Sequence, residues 1–131
     1  MAHLLDTNVV SHALRGDLHV RRRIDRHARG GIVVSAITVA ELAYGTLKHP
    51  DPERHRRAWE AFAAMFEVVP FDEHGAREHA RIRWALRATP IGERDLLIAA
   101  IAVVRKLIVV TNNLREFRRV PGLRVEDWSV S

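Results

Sequence analysis

The 131-residue chain is 47% hydrophobic and 28% charged, the balance of one compact globular domain with a sizeable core, which excludes intrinsic disorder. Cysteine is absent, so disulfides, thiolate metal centres and cysteine nucleophiles are ruled out, and the longest uncharged apolar run, nine residues at 96–104, is about half the length of a membrane-crossing helix. The formal charge of +5 arises from 21 basic against 16 acidic residues, nineteen of the basic ones being arginine, a side chain suited to phosphate, although genomic composition bias produces the same count. An acid at Asp6 interrupts the N-terminus before an apolar signal region forms, so a cytoplasmic protein without membrane association is expected.

In chain order, residues 2–5 are a strand, followed by a helical stretch through Leu14, a second helix over 18–29 and a strand over 32–35. Ser35 is a capping residue type for a helix over 37–48, which the prolines at 50 and 52 terminate. Residues 52–65 are amphipathic, 67–70 form a short strand, and Asp72 opens a long helix reaching about residue 88. An almost wholly apolar helix over 95–105, a β-branched strand over 108–111 and a last strand at 124–125 complete the reading. Strands separated by helices predict an α/β class, with a parallel or mostly parallel central sheet covered on both faces, in one domain over residues 1–131.

Three acids stand out against this frame. Asp6 directly follows the first strand, at the carboxyl edge where open α/β sheets bind ligands, while Asp6-Thr7-Asn8 also suits a helix cap. Glu41 shares a helical face with Ile37, Ala40, Tyr44 and Leu47, which puts a carboxylate on or beside an apolar stripe and asks for a partner, unless it reaches water or an arginine at the boundary. Asp95 begins the apolar helix and is carried inward with it, although a first-turn acid also interacts favourably with the helix N-terminus. If the topology brings these edges together, three carboxylates repel one another unless a hard cation sits among them. Ligation by oxygen alone favours Mg²⁺ or Mn²⁺, and such a centre can generate a nucleophile from water and stabilise charge on a phosphate.

Four fragments carry a family likeness: Leu4-Leu5-Asp6-Thr7-Asn8; Ala40-Glu41-Leu42 with Gly45; residues 91–100 around Asp95; and Val110-Thr111-Asn112-Asn113 followed by Glu116-Phe117. In this order and spacing they resemble the PIN-domain ribonucleases, and among them the VapC toxins of bacterial toxin–antitoxin pairs. The tail over 115–128 is similar to that of the enteric-type VapC toxins. The resemblance implies an α/β/α sandwich, Mg²⁺-dependent endoribonuclease activity that inhibits translation and growth, neutralisation by a VapB-type antitoxin, and a homodimer, for which the helix over 37–48 is a candidate surface. It maps the family's first three acids onto Asp6, Glu41 and Asp95. Where the family often has a fourth acid this chain has Asn113, which leaves the number of metals open. Asn113 could ligate through its carbonyl or orient a water, and Glu93 or Glu116 could supply the missing carboxylate. Thr111 matches a hydroxyl position and would hold a water or a carboxylate.

Other features point to no site. The eight histidines lack metal-ligand spacing and read as surface residues, and no phosphate loop or dinucleotide fingerprint is present. Arg21, Arg22, Arg23, Arg26 and Arg29 make a basic helix suited to RNA, to an antitoxin or simply to water. Tyr44, Trp59 and Trp84 read as packing residues. Two other functions compete with an RNase acting on cellular RNA, with transfer RNA its first candidate substrate. One is a non-catalytic nucleic-acid-binding or scaffold module, motivated by Asn113. The other is a phosphotransferase with Asp6 as nucleophile, disfavoured because the Asp-x-Asp pattern is broken by Asn8.

Overall fold

The computed structural model describes residues 1–129. The strands are β1 (His3–Leu5), β2 (Ile32–Ser35), β3 (Glu67–Val69), β4 (Ile108–Val110) and β5 (Arg124–Glu126). They form one sheet in the order β3-β2-β1-β4-β5, and all four pairings are parallel. The helices are α1 (Thr7–Leu14), α2 (Leu18–His27), α3 (Ala36–Lys48), α4 (Pro52–Ala63), α5 (Glu73–Ala85), α6 (Glu93–Arg105) and the single-turn α7 (Leu114–Phe117).

The alternation of side chains along each strand divides the core into two layers. Leu4, Val33 and Val109 face Ile82, Leu86, Ile98, Ile101 and Phe117 from α5, α6 and α7. Their neighbours Leu5, Val34 and Val110 face Val9, Val10, Val20, Ile24, Leu42, Trp59 and Phe62 from α1 to α4, together with Trp128. The α/β/α sandwich expected from the sequence is therefore present, and α6 is buried along most of its length because Ile98, Ala99, Ala100 and Ala102 are inaccessible. Among the described residues no helix is long and apolar enough to cross a membrane.

Helix boundaries follow capping chemistry. Asp6, Asp17, Ser35, Asp51 and Asp72 each accept a hydrogen bond from a backbone N–H of the helix they precede. The expected long helix after Asp72 stops at Ala85 rather than 88, and the apolar helix begins two residues early, at Glu93 behind Gly92. The short helix α7 has no counterpart in the sequence reading, because four residues are too few to establish a helical period.

Several side chains lie elsewhere than expected. The buried residues of α3 are Thr38 and Leu42, so Ala40, Glu41, Tyr44 and Leu47 face outward while Ile37 is half-buried against the core, and Tyr44 is 59% exposed with Lys48 over its ring. Trp59 is buried, but Trp84 is exposed and stacks under the Arg87 guanidinium 3.9 Å from the ring centre. His3 is not a surface residue: as the first residue of the central strand it is buried, and that burial lowers its pKa.

Gly31, which enters β2, has φ = 94°, and a Cβ placed on it would meet the Ala2 Cβ at 3.3 Å. Its carbonyl also accepts the His3 N–H at 3.0 Å, so the chain cannot easily move aside. Replacing Gly31 by Ala is expected to lower folding stability by about 1–2 kcal/mol, measured by urea unfolding at constant m.

Candidate active site

The sheet order places a topological switch point between β1 and β4, since β1 leads outward to β2 and β3 while β4 returns to its other side. Asp6 and Thr111, the residues that follow these two strands, meet there. The Asp6 N–H donates to the Val110 carbonyl at 2.9 Å, which continues the strand pairing up to the acid. Asp6 is fully buried; its Oδ1 accepts the Thr7 N–H at 2.8 Å and its Oδ2 accepts the Thr111 hydroxyl at 2.9 Å. The cap and the carboxyl-edge position expected of Asp6 are thus both realised by one side chain. Burial raises the Asp6 pKa and the Glu41 charge adds to that, while the hydrogen bonds from Thr111 and Thr7 and the charge of Arg94 oppose it.

Asp95 enters from the first turn of α6 and is 4% exposed. Its Oδ2 accepts the Asn113 amide at 2.8 Å. Its Oδ1 is buried without a hydrogen-bond donor, Arg94 Nε standing 3.6 Å away. Burial, hydrogen bonding with Glu116 and the charge of Asp6 push the Asp95 pKa up to about 7, whereas Glu116 is held below its ordinary value by the proton that Asp95 shares with it. Glu116 also accepts the Gly92 N–H at 3.3 Å and the Asn113 amide at 3.4 Å, which ties α7 to the start of α6.

Asn113 therefore bridges Asp95 and Glu116 through its amide nitrogen, and its own N–H donates to Thr111 Oγ1 at 2.9 Å. Thr111 accepts that bond while its own hydroxyl donates to Asp6 Oδ2. Of the two glutamates considered as a fourth carboxylate, Glu116 joins the cluster. Glu93 does not: it lies 3.2 Å from His79 Nε2 and is 69% exposed on its side chain. Glu41 acts on Asp6 electrostatically, but from an exposed position on the outward stripe of α3 and not from a buried one. Asp6, Glu41 and Asp95 do not have their oxygens as a trio within 4.8 Å. Among the described residues that spacing is met by His3, His27 and Glu126, on a different part of the sheet.

Sequence reading missed the hydroxyl web beneath the acids. Thr7 Oγ1 and Thr38 Oγ1 are 2.9 Å apart, and Ser35 Oγ accepts the Thr38 N–H at 3.1 Å, all three residues being buried. These bonds fasten the start of α1 to the start of α3, fixing Asp6 relative to Glu41, which follows Thr38 by three residues. Hydroxyl residues at the starts of the two helices that directly follow β1 and β2 were the available signal. Arg94 was missed as well; it is the cation next to Asp95 that partly offsets the crowded negative charge.

A PIN-domain model matches residues 3–123. The chain belongs to the PIN-domain family. Its curated relatives place it among the VapC ribonucleases: it is 41% identical over 128 residues to the tRNA(fMet)-specific endonuclease VapC of Salmonella typhimurium, covering 95% of this chain and 96% of that protein. It is also 40% identical to ribonuclease VapC2 of Haemophilus influenzae, with 98% of each chain covered. The VapBC2 structure from Rickettsia felis, bound to a promoter DNA fragment, superposes with a TM-score of 0.93 at 30% identity, covering 98% of this chain and 99% of that one. The VapBC structure from Salmonella typhimurium, also DNA-bound, gives 0.91 at 40% identity over 98% of both. This PIN domain is accordingly a nuclease, an enzyme that hydrolyses phosphodiester bonds, and PIN nucleases generally use a divalent metal.

The crowding of acids carries a stability cost. In the metal-free protein Asp95 holds its proton more tightly when folded than when unfolded, so the native state binds the extra proton between pH about 4 and about 7 and loses stability as pH rises through that window. Asp95→Asn should flatten this slope and stabilise the metal-free PIN domain by about 1–3 kcal/mol at pH 7.5, checked by thermal melts in chelator across pH.

Proposed function

We propose that this PIN domain is a Mg²⁺-dependent endoribonuclease toxin, with Asp6, Glu41 and Asp95 as the residues that hold the ion and Mn²⁺ as a possible substitute. The observation that carries the reading is the buried Asp95 Oδ1, which lacks a donor in a neighbourhood of carboxylates. A buried carboxylate oxygen that no donor reaches within hydrogen-bond distance, beside Asp6 and within the field of Glu116, is an expensive arrangement for folding alone, and an oxygen-only donor set fits a hard dication. When bound, the ion supplies activation of water and neutralisation of the charge that develops on the scissile phosphate.

The chain's own residues prepare that chemistry. Thr111 and the Thr7 N–H hold the Asp6 carboxylate in one orientation, so it does not need to reorganise on binding. Asn113 aims Asp95 with its amide nitrogen and occupies Glu116 at the same time, which leaves Asn113 Oδ1 to accept a hydrogen bond from water or from a ribose hydroxyl. Arg94 balances the acids while the metal is absent and offers a phosphate contact when the RNA arrives. The basic surface of α2, where Arg21, Arg22, Arg26 and Arg29 are exposed, supplies sequence-independent attraction for a polyanion.

The reading extends to biology by likeness. A VapB-type antitoxin would neutralise the enzyme, and a second copy would pack on the outward apolar stripe of α3, where Ala40, Tyr44 and Leu47 are exposed. Transfer RNA, the initiator species first, is the substrate to test, because the Salmonella relative is named for that specificity. Inhibition of translation and growth, and residence in the cytoplasm, follow from that substrate.

Asp6→Asn and Asp95→Asn should each lower Mg²⁺-supported RNA cleavage by about 100-fold or more without loss of fold, and Thr111→Val by about tenfold. The measurement is mapping of RNA 5′ ends after brief induction, with purified transcripts cleaved in Mg²⁺ or chelator as the control. Cleavage by both Asn variants at the parental rate would overturn the assignment of these acids.

A further inference from the structure

His3, His27 and Glu126 come from three distant parts of the chain, the first residue of β1, the last of α2 and the last of β5, yet one ligand atom from each lies within 4.8 Å of the other two. None of the three takes part in the nuclease chemistry. His3 lies three residues before Asp6 on the same strand, about 10 Å along it.

Each side chain is oriented as a ligand would be. His27 Nδ1 lies 2.8 Å from the Arg23 carbonyl, and a carbonyl only accepts, so Nδ1 carries the hydrogen and Nε2 keeps its lone pair. Glu126 receives the Trp128 indole N–H on Oε1 at 2.9 Å, which fixes the carboxylate and leaves Oε2 unassigned. His3 is 7% exposed, its Nε2 stands 3.4 Å from Glu126 Oε1, and its Nδ1 has no hydrogen-bond partner. A tetrahedral zinc with bonds of about 2.0–2.1 Å separates its ligands by about 3.3–3.4 Å, which the His3–Glu126 pair already matches. Ring packing accounts for part of the cluster, since His27 stacks on Trp128 at 4.6 Å between centroids and His3 meets His27 edge-on at 4.7 Å. Packing does not require a carboxylate against a buried imidazole, nor two histidines with converging polar edges.

We propose that His3, His27 and Glu126 form a second metal site, separate from the catalytic acids, that takes a borderline dication such as Zn²⁺ and fastens the C-terminal strand to β1 and α2. Two imidazoles and one carboxylate are a known zinc donor set that leaves one position for water. Glu126 and His27 are only partly buried, so the ion has a way in. Its role is structural: it would lock the Glu126-Asp127-Trp128 segment, whose indole is fully buried in the core layer shared with α1 and α2. The hard catalytic centre and this softer one would then select different ions from the same solution.

The test is calorimetric titration of chelator-treated protein with Zn²⁺ in millimolar Mg²⁺, with thermal melts in parallel. One equivalent should bind and raise the melting temperature. His27→Gln and Glu126→Gln should each weaken binding by about tenfold or more and abolish the thermal shift, while Asp95→Asn retains both. In the unmutated protein, Zn²⁺ should shift the imidazole nitrogen resonances of two histidines, assigned as His3 and His27. The proposal fails if no saturable equivalent appears, if both Gln variants bind within twofold of the parent, if Asp95→Asn removes the Zn²⁺ equivalent, or if the His3 and His27 resonances do not move.

Discussion

The constraint on which the molecule turns is the burial of like charge at the open end of a parallel sheet. Asp6 and Asp95 are both buried, the charge of Asp6 raises the cost of ionising Asp95, and Glu116 adds to it there while Glu41 acts on Asp6. A fold that only had to be stable would place apolar or hydrogen-bonding residues there. The surrounding architecture contains the repulsion: hydroxyl and amide donors from Thr111, Thr7 and Asn113, a guanidinium from Arg94, and two hydrophobic layers that hold β1 and α6 at fixed separation. On the proposed assignment, stability is given up locally so that a cation would find its ligands already arranged.

The fold was legible because its signals are strong and local. Strands buried on both faces produce uninterrupted apolar runs, and capping residues mark where five of the helices begin, so the order of elements and the parallel class could be read directly. The helix ends were less so, since the stop at Ala85 precedes Pro90 by several residues and depends on loop packing. The direction of α3 was misread for a clear physical reason. Its outward stripe is more apolar than its inward one, where Thr38 lies buried among hydroxyl partners, and a period by itself does not say which stripe faces the core.

The site was legible in part. Asp6 and Asp95 could be placed because each sits where a buried element begins or ends. Glu41 was singled out for a burial it does not have, though its charge still reaches Asp6. Glu116, Asn113 and Thr111 were candidates from the sequence, whereas Arg94 and the Ser35–Thr38–Thr7 web escaped, since a pairing such as that of Thr7 with Thr38 across 31 residues leaves no periodic trace. His3 was overlooked for a related reason: histidine in a three-residue strand looks like an edge substitution until the sheet order shows that the strand is central.

Asp6 and Thr111 are separated by 105 positions, and they meet only when β4 zips onto β1 through the bond between the Asp6 amide and Val110. Asn113 and Asp95 must dock in the same event. With the proposed acids as the cutting centre, a ribosome making this enzyme would release most of the polypeptide before that centre could form. For a nuclease directed against RNA, late closure of the sheet is a built-in delay that needs no inhibitor.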